Sequence, residues 1–204
     1  MSTFAVMQAR IADELARADL TNQIKLAVNS AIAFYDDEPF WFLEEEDTFN
    51  TADGTVSYAL PTDFREFVLV TATVSGGRFP IYQMPWDVFR SWNTTPTTSK
   101  GSPTDYAIYE DLFWPFPAPD GVYVITRSYR KTFAALSADA DTNAWMTHGE
   151  ELIRQRAKWD LYLNVIKDLN QATAMDAATQ RAFTALCGKN IRRLGIGKLR
   201  ATKF

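Results

Sequence analysis

Tyr35-Asp36-Asp37-Glu38-Pro39-Phe40-Trp41-Phe42-Leu43-Glu44-Glu45-Glu46-Asp47 is the stretch at which the texture of this 204-residue sequence changes. Upstream, apolar residues recur at helical spacing. Phe4, Met7, Ile11 and Leu15 trace one face of a helix over residues 3–18, with Thr3 as its N-cap. Ile24, Val28, Ala31, Ile32 and Tyr35 trace a second helix, capped by Asp19 or Thr21, which must stop before Pro39. Downstream the period shortens to two. Thr55–Leu60, Phe64–Val74, Arg78–Gln83, Asp105–Tyr109, Leu112–Phe116 and Val122–Lys131 read as strands. Ser75-Gly76-Gly77, Glu110-Asp111 and Pro117-Ala118-Pro119-Asp120-Gly121 punctuate them as turns. Pro85 opens a short helix over Trp86–Trp92.

A second change follows Leu136. Thr147 is a candidate cap for a helix from Gly149, whose face is Leu152, Ile153, Ala157 and Leu161. Asn170 reads as a break, Asp176–Asn190 as one more helix, and Gly188, Gly195 and Gly197 as loosening the chain to its end. The expected fold class is α+β: a helical body of two N-terminal and two C-terminal helices with an inserted antiparallel β-rich domain. The expected divisions are 1–38 and 137–187 for the helical body, 39–136 for the insertion, and 188–204 for a flexible basic docking tail.

Composition narrows the function. Apolar residues are 47% and aromatic residues 14%, enough for a packed core. A net charge of −4 opposes coating on nucleic acid by bulk charge. With one cysteine, Cys187, and one histidine, His148, no intrachain disulfide and no zinc site of several Cys or His can form. His148 reads as a residue near a helix start. No nucleophile elbow, Walker A run or dinucleotide fingerprint is present, and Gly195-Ile196-Gly197-Lys198 lacks the spacing of a phosphate cradle. No run of eighteen apolar residues could span a bilayer, and residues 1–17 do not read as a secretory signal. The expectation is no enzyme, no cofactor, no metal and no membrane contact. The aromatics Phe40, Trp41, Phe42, Trp86, Trp92, Phe113, Trp114 and Phe116 read as core before they read as sugar-stacking platforms.

Charge is segregated. Asp36, Asp37, Glu38, Glu44, Glu45, Glu46, Asp47 and Asp53 stand in a stretch without Lys or Arg. Lys189, Arg192, Arg193, Lys198, Arg200 and Lys203 stand in a stretch without acids. Each is either a solvated face or one half of a complementary docking contact. Ile191, Leu194, Ile196, Leu199 and Phe204 mix with the basic residues, which suits a segment that docks on a partner. The candidate docking residues are Arg192, Arg193, Lys198, Leu199, Arg200, Lys203 and Phe204. The candidate subunit-interface acids are Asp36, Asp37, Glu38, Glu44, Glu45, Glu46 and Asp47. Phosphate contact by the basic tail is opposed by the acidic remainder. On a strand Glu44–Asp47 would alternate sides, so at most two carboxylates share a face, which is poor metal-site geometry.

Four stretches, in order, carry a resemblance. They are Leu60-Pro61-Thr62-Asp63-Phe64; Gly101-Ser102-Pro103-Thr104-Asp105-Tyr106-Ala107-Ile108; Pro115 with Pro117–Tyr123 and Tyr129; and Asp141-Thr142-Asn143-Ala144-Trp145 leading into Glu150-Glu151-Leu152-Ile153. The chain resembles, from about residue 4 to residue 190, the podovirus-like head–tail adaptor (connector, head completion) proteins of tailed bacteriophages. That resemblance implies a virion structural protein, made in the host cytoplasm, at the head–tail junction. It implies a homo-oligomeric ring, commonly twelve-fold, under the portal protein. It implies a C-terminal extension that docks on the portal and a surface for a tail or nozzle protein. It implies a lumen through which DNA passes without specific binding, for packaging retention and ejection. The alternative reading is a carbohydrate- or partner-binding β module of a phage tail or cell-surface component, supported by the aromatics and the Thr/Ser/Pro loop between Trp92 and Gly101.

Overall fold

The computed structural model describes residues 2–93 and 100–194, and the chain divides into two compact units: residues 1–43 with 133–204, and residues 44–132. The first is helical, the second is a sheet, so the fold is α+β.

Helix α1 (Phe4–Glu14) starts at Thr3, whose hydroxyl accepts from the Val6 N–H at 3.4 Å. It is shorter than its apolar period predicts. Leu15 is the C-cap, and Ala16, at φ +50°, turns the chain out of the helix. Neither Asp19 nor Thr21 caps helix α2 (Thr21–Tyr35). Leu20 stands at the cap without a side-chain hydrogen bond, because the Asp19 carboxylate is held by Arg17 through two bonds of 2.7 Å. That pairing also holds the Asp19 carboxyl down to about 2. A 3-10 turn, Trp41–Leu43, follows.

When the chain returns to this unit it forms more helices than the two predicted. They are α4 (Ala144–His148), α5 (Glu150–Asp160), a π-helical segment (Leu161–Ile166) and α6 (Leu169–Leu194). Asn143 caps α4, accepting from the Met146 N–H at 3.1 Å; Thr147 does not cap α5 but lies inside α4, its hydroxyl turned back to the Asn143 carbonyl, and Gly149 stands at the α5 cap without a side-chain hydrogen bond. The break before α6 lies at Lys167 (φ +62°), not at Asn170. Asp168 Oδ1 then accepts from the N–H groups of Asn170 and Gln171, supplying the cap. The helix also runs through Gly188, past the predicted end at Asn190, to Leu194. One glycine inside a long helix costs about 1 kcal/mol and is tolerated where neighbouring turns pack.

The core of the helical unit centres on Trp145, with no exposed surface. Phe42, Phe40 and Tyr35 lie 5.0, 5.6 and 6.3 Å from its ring. Gly149 lets α5 begin against that ring: a Cβ there would lie 2.7 Å from Trp145 Cε3. Phe4, Met7, Ile11, Ile24, Leu152 and Ile153 complete the interior. Beside it α1 is tied to α5 by charge. Glu14 accepts from Lys158 at 2.5 Å and from Arg154 at 3.0 Å, and Arg10 pairs with Glu150.

The second unit is one seven-stranded sheet, in the order β1 (Glu44–Asn50), β7 (Val124–Lys131), β3 (Phe64–Val74), β4 (Gly77–Gln83), β5 (Asp105–Tyr109), β6 (Leu112–Phe116), β2 (Tyr58–Ala59). Ser75 and Gly76, at φ +50° and +82°, form the two-residue turn of the β3–β4 hairpin, and Glu110 and Asp111, at +50° and +56°, that of β5–β6. The sequence predicts an antiparallel sheet, and the structure departs from that at one pair. Helix α3 (Trp86–Trp92) carries the chain across, so β4 and β5 pair in parallel, Tyr82 with Asp105 and Gln83 with Tyr106. Strand β2 is only a fragment of the predicted Thr55–Leu60.

The sheet curls until its two edges meet through side chains. Phe49 of β1 lies 4.7 Å from the Tyr58 ring of β2 and 5.8 Å from Phe113 of β6. Arg127, on β7 and only 4% exposed, sits in that junction. It pairs with Asp47 of β1, donates to the Ala59 carbonyl of β2 at 2.9 Å, and lies 4.5 Å from the Phe49 ring. A buried guanidinium needs acceptors for its donors and π-faces for its plane, and here it has both.

Candidate functional site

Two groups of charged residues were singled out by sequence, and the structure distributes them differently. The acids divide between the units. Asp36, the C-cap of α2, is half-buried, Asp37 is exposed, and Glu38 is half-buried with its N–H donated to the Tyr35 carbonyl at 3.1 Å. Glu44, Glu45, Glu46 and Asp47 form the first half of β1, an edge strand. Charged residues suit an edge, since they oppose pairing with a stray strand.

Three of the β1 acids meet cations of their own unit. Glu45 pairs with Lys131, Asp47 with Arg127, and Glu46 lies 3.5 Å from Arg78 while accepting from Ser128 at 3.2 Å. Antiparallel register places Glu45 opposite Tyr129 and Asp47 opposite Arg127, so the pairing follows from strand geometry. The isolated acidic run of the sequence is, in space, an alternation of charges. Glu44 is exposed.

The basic residues begin on the last turn of α6. Asn190 clamps this turn to the 39–43 segment: its Oδ1 accepts from the Trp41 N–H at 3.0 Å, and its Nδ2 donates to the Pro39 carbonyl at 2.9 Å. Arg193 lays its guanidinium 5.3 Å from the Trp41 ring centroid, and Arg192 is exposed. The Trp41 ring also packs against His148 at 5.5 Å. Arg192 and Arg193 are thereby placed on a fixed helix end. Lys198, Leu199, Arg200, Lys203 and Phe204 lie outside the described residues. Asn190 was missed by sequence reasoning, because an Asn one turn from a helix end carries no signal of what its amide will reach.

His148 is exposed at the end of α4, two residues before α5 begins, and packs 5.4 Å from the Phe42 ring. A cavity of about 140 Å³ beside it is lined by Glu151, Leu152, Leu186 and Lys189. Burial, and then the nearby Glu38 charge, push the Cys187 thiol up, the direction opposite to an activated nucleophile. Among the described residues no three His, Cys, Asp or Glu gather as metal ligands would, and no helix is long and apolar enough to cross a membrane.

The aromatics mostly satisfy one another. Phe40, Phe42 and Phe113 are buried. Trp86 stacks on Phe89 at 5.1 Å and on Tyr109 at 4.3 Å. Trp92, at 61% exposure, is the clear exception. Residues 94–99 of the loop after it lie outside the described residues.

No curated protein matches the chain. The family model described as SU10 adaptor protein matches residues 2–200, spanning the helical unit, the sheet unit and the α6 clamp. The chain therefore belongs to the SU10 adaptor protein family, a phage adaptor family, and its role is that of an adaptor.

Proposed function

We propose that this chain is a non-enzymatic virion protein that forms a homo-oligomeric ring under the portal protein and connects the phage head to its tail. Residues 1–38 and 137–187 serve as the ring's body, 39–136 as the insertion facing the tail or nozzle protein, and 188–204 as the portal-docking arm. DNA passes through the lumen without specific contacts, retained after packaging and released on ejection, in the manner of podovirus-like connectors.

The observation that carries this reading is the clamp at the end of α6. A docking arm works only if its base is held, and Asn190 and Arg193 hold the base against Trp41 and Pro39. From that base the chain continues into Lys198, Leu199, Arg200, Lys203 and Phe204, cationic and apolar residues suited to a partner's acidic and apolar surface. The net acidic charge of the chain suits a channel that does not grip DNA.

The test is co-sedimentation with the portal protein encoded near this chain, comparing the full chain with one ending at Leu194. The expected result is binding by the full chain and loss of binding on truncation, with the circular dichroism spectrum of the helical unit unchanged. Equal binding by both would move the contact from the arm to the helical body. Binding by neither would defeat the adaptor-on-portal reading.

A further inference from the structure

A ring of identical copies needs two different patches on each copy, one for each neighbour. We propose that one of them is an arginine cradle on α2 and α5, centred on Arg156, and that it receives the acidic tip of the β5–β6 hairpin, Glu110-Asp111, from a second copy of this chain. The proposal rests on the ring assembly proposed above.

Arg156 is held by two rings. Its guanidinium carbon lies 4.0 Å from the Phe34 ring centroid and 4.1 Å from that of Trp159. Phe34 is 57% exposed, so this stack stands at the surface. A groove of about 180 Å³ runs beside it, floored by Ala27, Ala31 and Ser30. Among the described residues Arg156 makes no hydrogen bond and no ion pair. Asp160, one turn along α5, receives its hydrogen bond from Asn164 instead, at 2.6 Å. The two rings hold the guanidinium, and among the described residues its N–H donors stay unspent. A planar, pre-ordered fork of donors is built for a carboxylate, and pre-ordering removes much of the entropy cost of binding one.

The hairpin tip offers that carboxylate. Two successive left-handed residues put Glu110 and Asp111 at the apex, both exposed. The Tyr109 ring, next to the apex, lies flat on Trp86, with planes 1° apart, so the tip has a rigid base. Asp111 has no cation among the described residues. By contrast, Glu14, Glu45, Asp47, Asp53, Glu66 and Glu150 each sit in an ion pair. The cradle presents an unspent cation between apolar rims, and the tip presents an unspent carboxylate beside an aromatic base. The two are complementary in charge and in apolar border.

The test uses the full chain assembled into phage particles. Ser30→p-benzoylphenylalanine places a photo-crosslinker at the groove, one turn along α2 from Phe34. Irradiation is expected to give a covalent dimer of this chain whose joined peptide carries Tyr109–Leu112. Crosslinking only to another protein, or only within one chain, in particles that hold the adaptor would overturn the contact. Absence of the unsubstituted adaptor from particles would overturn the ring reading and the contact with it.

Charge exchange supplies the second arm. Arg156→Glu alone, and Glu110→Arg with Asp111→Arg, should each lower incorporation roughly tenfold or more. Combining all three should restore it, and Arg156→Lys should fall between, since it keeps the charge and loses the fork. A combined variant no better than its parents, with all variants melting near the unsubstituted chain, would overturn the proposal.

Discussion

The helical unit is organised around a volume, and the sheet unit around a charge. In the first, the centre is Trp145, wholly enclosed and ringed by Tyr35, Phe40 and Phe42, with ion pairs such as Glu14–Lys158 at its flank. In the second, the junction that closes the sheet on itself holds a guanidinium, Arg127, between Asp47, the Ala59 carbonyl and the Phe49 ring. An apolar centre tolerates some change of shape but not loss of volume. A buried ion pair tolerates removal of both charges but not of one. The two halves of the chain should therefore fail by different routes.

The sharpest way to break that contrast is a pair of substitutions. Trp145→Ala should destabilise the helical unit by about 3–5 kcal/mol through the cavity it leaves. Arg127→Ala should cost the sheet unit about 3–5 kcal/mol, because it leaves the Asp47 carboxylate without its partner. Urea denaturation followed by far-ultraviolet dichroism for the helices and tyrosine fluorescence for the sheet should show each change moving its own transition. Arg127→Met with Asp47→Leu should recover most of the second loss, whereas no second substitution of charge should help Trp145→Ala.

A smaller effect is expected at Gly149. Alanine there forces a methyl against the Trp145 ring, costing about 1–3 kcal/mol by thermal melting, with the sheet unaffected. Asn190→Ala removes both bonds that hold the end of α6, and about 1–2 kcal/mol is expected. Hydrogen exchange at the Trp41 amide should rise with it.

The mildest probe is pH. Burial pushes the Tyr106 hydroxyl up to about 12, and burial followed by a hydrogen bond to Asp63 raises Tyr129 further in the same direction. A tyrosine whose folded value is raised contributes stability that is full below its unfolded value, about 10, and is lost as pH rises toward the folded one. Both residues belong to the sheet. Tyr35, raised by burial, is the counterpart in the helices. Tyrosinate absorbance and near-ultraviolet dichroism should show the sheet loosening from about pH 10 through about 12. At the acid end, Asp141 is held low by the N–H groups of Ser137 and Ala138, so its contribution to the helical unit disappears as pH falls through its folded value.

What could be read from sequence follows the range of the interactions. The faces of α1 and α2, the Ser75-Gly76 and Glu110-Asp111 turns, and the strands around them are local, and period and turn chemistry reveal them. Strand β1 carries no strand signal of its own: Glu44-Glu45-Glu46-Asp47 has no apolar alternation, and its partner β7 supplies Lys131 and Arg127 some eighty residues away. The parallel β4–β5 pairing depends on where α3 returns the chain, and no residue spells that out. For the candidate site, the residue types were visible but their company was not. Glu45 and Asp47 looked unpartnered in a run without cations, and Asn190 looked like an ordinary helix residue.

The chain enters the sheet unit at Glu44 and leaves it by β7, and Glu44 lies directly opposite Arg130 in the ladder. The helices thus meet residues 44–132 as the two ends of neighbouring strands, a fixed short span whatever is strung between them. Such an insert behaves as a cassette. Its length and surface can be rewritten while the loop closure presented to the helices stays the same, because entropy of closure depends on the distance between the ends and only weakly on what the loop contains.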